Sequence, residues 1–449
     1  MVKILILDVY PKKKYRISKD QNGGFGTAND YGNNFFLKLL SLYVKSNVDY
    51  PPLSCVYVAG QLRANGFDVD YARSLDKSKN YDLYILPSSI VCHETEVKFT
   101  KELTSQNKKV FITGPFASSK PEAYYNNGGK VILNEPEMFF YDFMPADVDK
   151  FNGFEKLIRA KKQIDLDDLH MPAWDIISKT IKPVMSFLGK GTTIPINASR
   201  GCPYTCFYYC TYPLQQGRKL RLRSPENIVN EMLHWNLTLK TKNFIFRDPV
   251  FSIDKKHTIK LLKKISQCGI KFNICIETHL KNIDSEMIKN FKIAGVKIIY
   301  VGIESSDDDV LLDAHRTTIK PDLQLERINE IEKNNIKVKC MYIIGLPADT
   351  IKTCKNTIDY SKKLLSSYAQ YSVFTPYPGT PAFKDYEDKL ISKKFEDFNQ
   401  WQLVFKHPEL TPKNVRYLLN KAYLTYYLNP LWIIKFIISK FKPSSLTIK

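Results

Sequence analysis

Short apolar runs alternate with helix-length segments over the first third of the chain. The runs cover residues 2–8, 68–72, 81–87, 109–113 and 130–133. The segment between the first two runs predicts a helix that starts at a proline pair, 51–52, and stops at Asn65-Gly66, a left-handed ending that helices favour. This alternation predicts a doubly wound, Rossmann-like parallel sheet over residues 1–145, with a ligand crevice at the carboxyl ends of its strands.

A second alternating series begins at Thr193. Its apolar runs are TIPINAS, NFIFRD, FNICIET, IIYVGIES, KCMYIIG and AQYSVFTPY, with helix-length segments between them. Six such units predict an open (β/α)6 barrel over residues 191–395, with its chemistry at the carboxyl ends of the strands. Residues 146–190 are expected to form a linker, and residues 396–449 a C-terminal helical region.

Composition narrows the class of protein without identifying a partner. The chain is 44% hydrophobic, which suffices for globular cores, and 66 basic against 46 acidic residues give a net charge of +20. The basic residues are spread along the chain without a nucleic-acid-binding motif, so no nucleic-acid partner is expected. An odd number of cysteines, no secretory signal and no 18-residue apolar span predict a reduced, cytoplasmic setting.

Three cysteines are clustered directly after the first predicted barrel strand. Cys202, Cys206 and Cys210 lie within nine residues on a loop that contains Gly201. Thiolates spaced this closely can bind one iron–sulfur cluster, and three ligands on a four-iron cube leave one iron open for the amino and carboxylate groups of a methionine. A structural zinc is the alternative, but the closest histidine in sequence, His234, is 24 positions further on.

The cysteine loop and several other segments together resemble one known family, the radical S-adenosylmethionine enzymes that carry an N-terminal cobalamin-binding domain. The similarity covers nearly the whole chain. Its segments are Pro51-Pro52-Leu53, Gly114-Pro115, Asn134-Glu135-Pro136-Glu137, the cysteine loop and the barrel runs FRDPVFSIDKK, ETHL, GIES, IIGLP and TPYPGT. The resemblance implies three cofactors: a [4Fe-4S] cluster on Cys202, Cys206 and Cys210, S-adenosylmethionine, and cobalamin.

The family's chemistry begins with an electron that the reduced cluster passes to S-adenosylmethionine, giving methionine and a 5′-deoxyadenosyl radical. One feature of this chain departs from the family: the usual cysteine spacing is C-x3-C-x2-C, and here it is C-x3-C-x3-C. An added residue displaces the third sulfur by up to about 3.5 Å if the chain stays extended. A binding protein that keeps the fold without a working cluster is therefore an alternative.

Residues at the predicted strand ends are the candidate cofactor contacts. Each of them could instead be a helix cap or a turn residue. The candidates for S-adenosylmethionine are Asp248, Glu277, Glu304, Ser305, Gly345 and Thr375, with Arg247, Thr278, Pro347 and Gly379 as neighbours, and those for cobalamin are Ser88, Ser89, Gly114, Pro115 and the loop from Asn134 to Glu137, which includes Glu135.

The first strand carries no lower ligand for cobalt. Cobalamin domains that ligate cobalt use a histidine in a D-x-H-x-x-G motif, but Asp8 is followed by Val9, Tyr10 and Pro11. His93 is the only histidine within residues 1–145, and a packed or surface position is expected for it. Cobalamin is therefore expected to bind without a protein histidine, as the resemblance also implies.

The function expected from these features is methyl transfer to an unactivated carbon of a small-molecule or lipid-like substrate, driven by an external one-electron reductant. A non-methylating radical reaction, such as cyclisation, is the alternative within the same class. The tail NPLWIIKFIISKFKP has an apolar face and lysines at 435, 440 and 442. It predicts either packing onto the barrel or weak association with a membrane surface.

Overall fold

The computed structural model describes residues 1–11, 17–31, 34–39, 52–76, 78–178, 188–189 and 191–441, and it has an α/β fold with two six-stranded parallel sheets. The N-terminal sheet has the strand order β2-β1-β3-β4-β5-β6, so its topological switch point lies between β1 and β3. Its strands are β1 Lys3–Leu7, β2 Asp68–Ala72, β3 Leu83–Pro87, β4 Val110–Thr113, β5 Lys130–Ile132 and β6 Leu157–Ile158.

The first five of these strands confirm the predicted parallel sheet. β6 lies beyond the predicted boundary at residue 145, within the segment expected to be a linker, and it pairs in parallel with β5. A two-residue strand is too short to show a periodic pattern, which is why the sequence did not reveal it.

The second sheet has its strands in sequential order, as an open barrel requires. All neighbours are parallel, and each of the six predicted runs overlaps one strand. The strands are β7 Thr193–Ile196, β8 Asn243–Phe246, β9 Asn273–Thr278, β10 Val296–Glu304, β11 Lys337–Ile344 and β12 Tyr368–Val373.

Most of the long helices after the barrel strands begin at a side-chain cap. Ser224, Asp254, Asp284 and Thr350 each accept a hydrogen bond from a backbone N–H of the first turn.

In the described part of the chain no helix is long and apolar enough to cross a membrane. The helices are α1 Leu53–Ala64, α2 His93–Ser105, α3 Pro115–Ser119, α4 Glu122–Tyr125, α5 Pro136–Phe140, α6 Pro145–Asp149, α7 Asp175–Ser178, α8 Tyr212–Gln216, α9 Pro225–Leu239, α10 Lys255–Gln267, α11 Ser285–Ala294, α12 Asp308–Asp313, α13 Pro321–Lys333, α14 Ile351–Leu364, α15 Pro381–Tyr386, α16 Pro412–Tyr427 and α17 Pro430–Phe441.

The outer edge of β12 is covered by tyrosines of α16. Tyr423 donates its hydroxyl to the carbonyl oxygen of Tyr371 at 2.8 Å and accepts the N–H of the same residue at 3.0 Å. Tyr427 does the same for Ala369, at 2.7 and 3.1 Å. Unpaired strand edges recruit other strands, so these hydroxyls close the edge of the barrel sheet.

The predicted linker packs closely against α1. A Cβ at Gly60 would lie 2.3 Å from the carbonyl oxygen of Met171, so this crossing requires a glycine. Ala173 donates its N–H to the carbonyl oxygen of Val56 at 2.9 Å. Residues 179–187 and 190 of this segment, and the tail lysine at 442, lie outside the described residues.

Candidate functional site

A short antiparallel ribbon after β7 fixes the start of the cysteine loop. Ser199–Arg200 pairs with Arg221–Leu222, and Gly201 follows with a φ of +84°. A Cβ at Gly201 would lie 2.1 Å from the carbonyl oxygen of Lys219. Both the left-handed backbone and the close approach require a glycine, and together they set where the thiol of Cys202 emerges.

A helical turn absorbs the additional residue of the loop. Thr205–Tyr208 forms a 3-10 turn, and Cys210 donates its N–H to the carbonyl oxygen of Cys206 at 3.0 Å, four residues back. Residues four apart on a helical turn lie on the same face, with Cβ atoms about 5–6 Å apart. The C-x3-C spacing therefore places Cys206 and Cys210 side by side. The added residue does not displace the third sulfur as it would in an extended chain.

Two aromatic residues between Cys206 and Cys210 anchor this turn. The guanidinium of Arg218 lies over the ring of Phe207, 4.4 Å from its centroid. The hydroxyl of Tyr208 donates to a carboxylate oxygen of Asp385 at 2.9 Å. The longer loop is thus held by its own side chains.

The three thiols line one cavity of about 110 Å³ at the carboxyl ends of the barrel strands. Within the described ranges, no three His, Cys, Asp or Glu side chains are close enough to bind a single metal ion. A cluster would give each of the three thiolates its own iron. The cavity is also lined by Tyr204, Tyr209, Tyr212, Pro249, Val250, Glu277, Thr278, His279, Gly302, Glu304, Arg316 and Met341.

Arg316 supplies positive charge beside the thiols. Its Nη1 lies 3.8 Å from the Sγ of Cys206, and its Nη2 donates to the carbonyl oxygen of Gly302 at 2.9 Å. Burial raises the pKa of the Cys202 and Cys210 thiols, and the neighbouring Cys206 adds to both shifts. Iron binds thiolates, so a cation at this position favours the form that a cluster needs.

Glu304 reaches the cavity through an irregular strand end. Its φ is +66°, and the pairing of β10 with β11 shifts register between Gly302 and Glu304. A Cβ at Gly302 would lie 2.3 Å from a carboxylate oxygen of Glu304 and 2.6 Å from Arg316, so the glycine makes room for both. The carboxylate forms an ion pair with Arg316 at 3.4 Å. Both expected alternatives for Glu304 thus remain, a cofactor contact and a structural pair.

Glu277 lies at the cavity with little compensation for its charge. Burial raises the pKa of its carboxyl to about 7, although Arg247 and Lys339 oppose the shift. Thr278 beside it shares a hydrogen bond of 2.5 Å with the hydroxyl of Ser252. The roles predicted for Glu277 and Thr278 in cofactor binding stay predictions, but both side chains lie where such contacts are made.

Asp248 lies beneath the cysteine loop and does not line the cavity. Its fully buried carboxylate accepts the N–H of Ala198 at 3.0 and 3.1 Å, and the N–H and hydroxyl of Ser199, the hydroxyl at 2.6 Å. These hydrogen bonds hold the backbone before the cysteine loop, and the predicted contact of Asp248 with S-adenosylmethionine stays a prediction.

Ser305, Gly345 and Thr375, the other predicted barrel contacts, do not line the cavity. Ser305 is buried, 3.2 Å from the hydroxyl of Thr357, and it accepts the N–H of Asp307. The N–H of Gly345 is bonded to Asp349 at 2.9 Å, and Thr375 donates to a carbonyl oxygen two residues back. These residues satisfy turns and helix starts, which is the alternative that the sequence left open for them.

A second cavity, the interdomain cleft, lies between the carboxyl ends of the N-terminal strands and the barrel. Five of the predicted cobalamin contacts line it, namely Ser88, Gly114, Pro115, Glu135 and Glu137. Ser89 does not: its N–H donates to the carboxylate of Glu96 at 3.0 Å behind the strand end.

Arg200 joins the cleft to the cysteine loop. Its guanidinium is buried between Glu135 and Glu137 and forms ion pairs with both, while Arg221 holds Glu135 from the other side at 2.8 Å. Arg200 lies two residues before Cys202. The loop at Asn134 to Glu137 is therefore tied directly to the residues that position the first thiol.

The switch point of the N-terminal sheet is filled by the chain itself. The ammonium of Lys19 is fully buried, 3.0 Å from Asp8 after β1 and 2.9 Å from Glu96, and it donates to the carbonyl oxygen of Pro87 at the end of β3. Burial lowers the pKa of Lys19, but Asp8 and Glu96 outweigh it and raise that pKa well above its usual value. A ligand of this domain must therefore bind beside the switch point, at the ends of β3 to β5.

His93 lies at the start of α2 and does not line the cleft. Its Nδ1 is 3.2 Å from the hydroxyl of Tyr124, and its ring packs against Phe116 and Phe395. Burial lowers the pKa of its imidazole to about 4. These contacts give it the packed position expected from the sequence.

The chemistry of the cleft suits a ligand rich in amide groups. Asn197 and Glu137 line the cleft, and each has a buried polar atom without a hydrogen-bond partner among the described residues. These atoms are Nδ2 of Asn197 and Oε2 of Glu137. The amide side chains of a corrin both donate and accept, so they could satisfy such atoms. The cleft has a volume of about 60 Å³, less than a corrin fills, so binding requires it to widen.

Tyr212 lines both cavities, so the cysteine cavity and the interdomain cleft meet at its ring. Sequence reasoning missed Tyr212, Arg200, Arg316 and Lys19. Tyr212 and Arg200 adjoin the cysteine loop, and this proximity was a usable signal. Arg316 and Lys19 lie in polar segments without a pattern, and only the tertiary fold brings them to their sites.

Comparisons with known proteins agree with this geometry. A model of the Radical SAM superfamily matches residues 196–361. An uncharacterized methyltransferase of Pyrococcus horikoshii is 28% identical, with 86% of this chain and 89% of that protein aligned. An anaerobic magnesium-protoporphyrin IX monomethyl ester cyclase of Rubrivivax gelatinosus is 23% identical, with 84% and 75% aligned.

Among solved structures, the radical S-adenosylmethionine methyltransferase TsrM of Kitasatospora setae, with cobalamin and a [4Fe-4S] cluster bound, has a similar fold. Its TM-score is 0.63 at 13% identity, with 94% of this chain and 91% of that chain covered. The superfamily match covers the cysteine loop and β8 to β11, and the fold similarity extends over the N-terminal domain as well. The superfamily match, the sequence relatives and the similar fold together support the resemblance of this chain to radical S-adenosylmethionine enzymes that carry a cobalamin-binding domain.

Proposed function

We propose that the protein is a cobalamin-dependent radical S-adenosylmethionine methyltransferase that acts on an unactivated carbon. The observation that carries this proposal is the meeting of two cavities at Tyr212, one lined by the three thiols and the other by the predicted cobalamin contacts. Methyl transfer through a radical needs the substrate within reach of both cofactors, and the edge shared by the two cavities is the place that allows it.

The names of relatives support the reaction class. The relative from Pyrococcus horikoshii is named as a methyltransferase, and the one from Rubrivivax gelatinosus as a cyclase. Cyclisation is accordingly the second candidate, since it would use the same cavities without transfer of a methyl group.

When bound, the cluster supplies the electron that cleaves S-adenosylmethionine, and cobalamin carries the methyl group. The chain's own residues bind and orient these groups. Asp248 holds the backbone before the cysteine loop, and Arg316 sets a cation beside Cys206. Glu277 and Glu304 offer carboxylates to an amine or to ribose hydroxyls at the cavity wall.

Two further parts of the proposal concern partners. The electron comes from an external one-electron reductant, and the substrate is a small molecule that enters the shared edge of the two cavities. Rings of Tyr204, Tyr209 and Tyr212 on the cavity wall limit access of water to the reacting groups.

The test uses protein reconstituted anaerobically with iron, sulfide and cobalamin, then incubated with dithionite and S-adenosylmethionine labelled in its methyl group. Methyl transfer predicts label on the corrinoid together with 5′-deoxyadenosine. Formation of 5′-deoxyadenosine with all label left in methionine would support the non-methylating alternative. Neither product, in protein with full iron content, would support the binding-protein alternative and refute the proposal.

The mode of cobalamin binding has its own test. We expect no histidine on cobalt, because His93 is packed against Phe116, Tyr124 and Phe395 outside the cleft. Electron paramagnetic resonance of the cob(II)alamin form should therefore lack the triplet splitting that an imidazole nitrogen produces. Triplets that vanish in His93→Ala would contradict this assignment.

A further inference from the structure

The last described helix, α17, is attached to the barrel by its polar side. Trp432 donates its indole N–H to the carbonyl oxygen of Ser367 at 3.1 Å. Lys435, the one charged residue among positions 430–439, forms an ion pair with Glu332 and donates to the carbonyl oxygen of Leu365. The charge of Lys435 is therefore used for packing.

The opposite side of α17 is apolar and exposed. Leu431, Ile434, Ile437 and Ile438 are 64, 54, 48 and 51% exposed. Their spacing places them within one arc of the helix, which we name the outer face. A surface helix normally turns its apolar side inward, so this inverted arrangement needs an apolar partner.

The charge around the outer face selects the kind of partner. Residues 410–449 contain seven lysines and arginines and no acidic residue. Arg416 forms an ion pair with Asp30, and Lys435 forms one with Glu332. The net charge of the segment remains positive after these two pairs are counted. We propose that the outer face docks the protein onto an anionic lipid surface, with basic residues of the C-terminal segment beside the headgroups.

The dimensions of α17 favour a lipid surface over other occupants. Its 12 residues give a length of about 18 Å, too short for the ~30 Å hydrocarbon core, so the helix lies along the interface. A helix of this length and ~10 Å width offers on the order of 200 Å² in projection, against the ~800 Å² per partner of a stable dimer. A second copy of the chain is therefore a poor occupant.

The position of α17 also sets the orientation of the docked protein. Glu332, Leu365 and Ser367 lie just before β11 and β12, at the amino ends of the barrel strands. The cysteine cavity lies at the carboxyl ends. Docking would thus hold the cavity away from the bilayer, so the surface localises the protein and does not deliver a substrate from the membrane.

Flotation of the 449-residue chain with vesicles tests the proposal. Vesicles of phosphatidylcholine with phosphatidylglycerol should carry the protein upward, and vesicles of phosphatidylcholine alone should carry much less. The double variant Ile434→Ser/Ile437→Ser should lower the partition coefficient by about tenfold or more, because two apolar side chains no longer enter the lipid. Salt at 0.5 M should weaken the remaining attraction, a prediction that follows from charge screening.

The matched control is Leu237→Ser/Ile293→Ser, which removes two side chains that are each 68% exposed on barrel helices. It should float like the wild type, and both double variants should melt at the wild-type temperature. No flotation, or equal flotation of the two double variants, would refute the proposal. A dimer that disappears in Ile434→Ser/Ile437→Ser would also refute it, by showing that the outer face binds a second copy.

Discussion

The carboxyl ends of the two parallel sheets bury charged side chains in different ways. In the N-terminal sheet, Lys19 neutralises Asp8 and Glu96, and tyrosine hydroxyls from Tyr71 and Tyr124 complete the network. At the barrel mouth, Glu277 is half-buried with no ion pair among the described residues, and loss of hydration raises the pKa of its carboxyl to about 7. Both carboxylates of the N-terminal network thus have an ion-pair partner, whereas Glu277 at the barrel mouth has none among the described residues. The comparison therefore assigns the chemistry to the barrel and the cleft, and a stabilising role to the switch point.

The largest expected effect is at the barrel mouth. Cys202→Ala, Cys206→Ala and Cys210→Ala should each abolish the brown cluster absorbance and the formation of 5′-deoxyadenosine, since the three thiols share one cavity. Cys268→Ala is the control, because its thiol is bonded to the carbonyl oxygen of Ile265 at the end of α10. Full cluster content in Cys210→Ala would show that the third ligand is another residue.

The second-largest effect is expected in the buried ion pairs of Lys19 in the N-terminal sheet. Lys19→Met leaves two buried carboxylates without their cation and should lower the free energy of unfolding by about 3–5 kcal/mol in urea titrations. Lys150→Met removes an exposed ion pair with Asp147, whose charged atoms are 3.3 Å apart. This substitution should change the free energy of unfolding by about 0.5 kcal/mol or less. Equal effects of the two substitutions would mean that the buried network does not stabilise the sheet.

Glu304 gives an intermediate effect that separates binding from stability. If its carboxylate contacts S-adenosylmethionine, Glu304→Gln should weaken binding by about 1.5–3 kcal/mol and keep the cluster. If Glu304 serves only as the ion-pair partner of Arg316, the Glu304→Gln variant should melt at a lower temperature and keep its affinity for S-adenosylmethionine. Both quantities are measured on one anaerobic preparation, and unchanged affinity with lost stability would refute the binding role.

The smallest effect is a dependence of stability on pH at Glu277. Its folded pKa of about 7 lies above the ordinary 4.5, so the folded state holds the proton more tightly and stability falls as pH rises between these values. The Glu277→Gln variant lacks this loss. In cluster-free protein, its free energy of unfolding should therefore exceed that of the wild type by on the order of 1–2 kcal/mol at pH 8 and match it near pH 5. An advantage that does not change with pH would contradict the sign of the shift.

Much of the fold was predictable because its strands are short, continuous apolar runs. β1 to β5 and β7 to β12 each overlap a predicted run, although β10, β11 and β12 begin one or two residues before theirs. The two-residue β6 corresponds to no predicted run. The cysteine loop could be recognised from clustering alone, because its three cysteines come from one segment.

The remainder of the site depends on contacts between distant segments. Lys19 stands in a polar stretch, and only the folded chain brings it between Asp8 and Glu96, 11 and 77 positions away. Asp248 follows a strand like Glu277 does, yet Asp248 is taken up by the backbone before the cysteine loop. A strand-end position therefore indicates the carboxyl edge of the sheet, but not which side chains face the cavity.

The tyrosines that close the edge of β12 have a consequence for synthesis. Their helix, α16, follows the strand in the chain, so the edge is complete before its cover exists. Translation of the interval from Val373 to Tyr427 takes about 3 to 10 s at ~5–20 residues per second. During that time the nascent barrel exposes an unpaired strand, and we expect recombinant yield to depend on slow, cool expression or on chaperones that shield such edges.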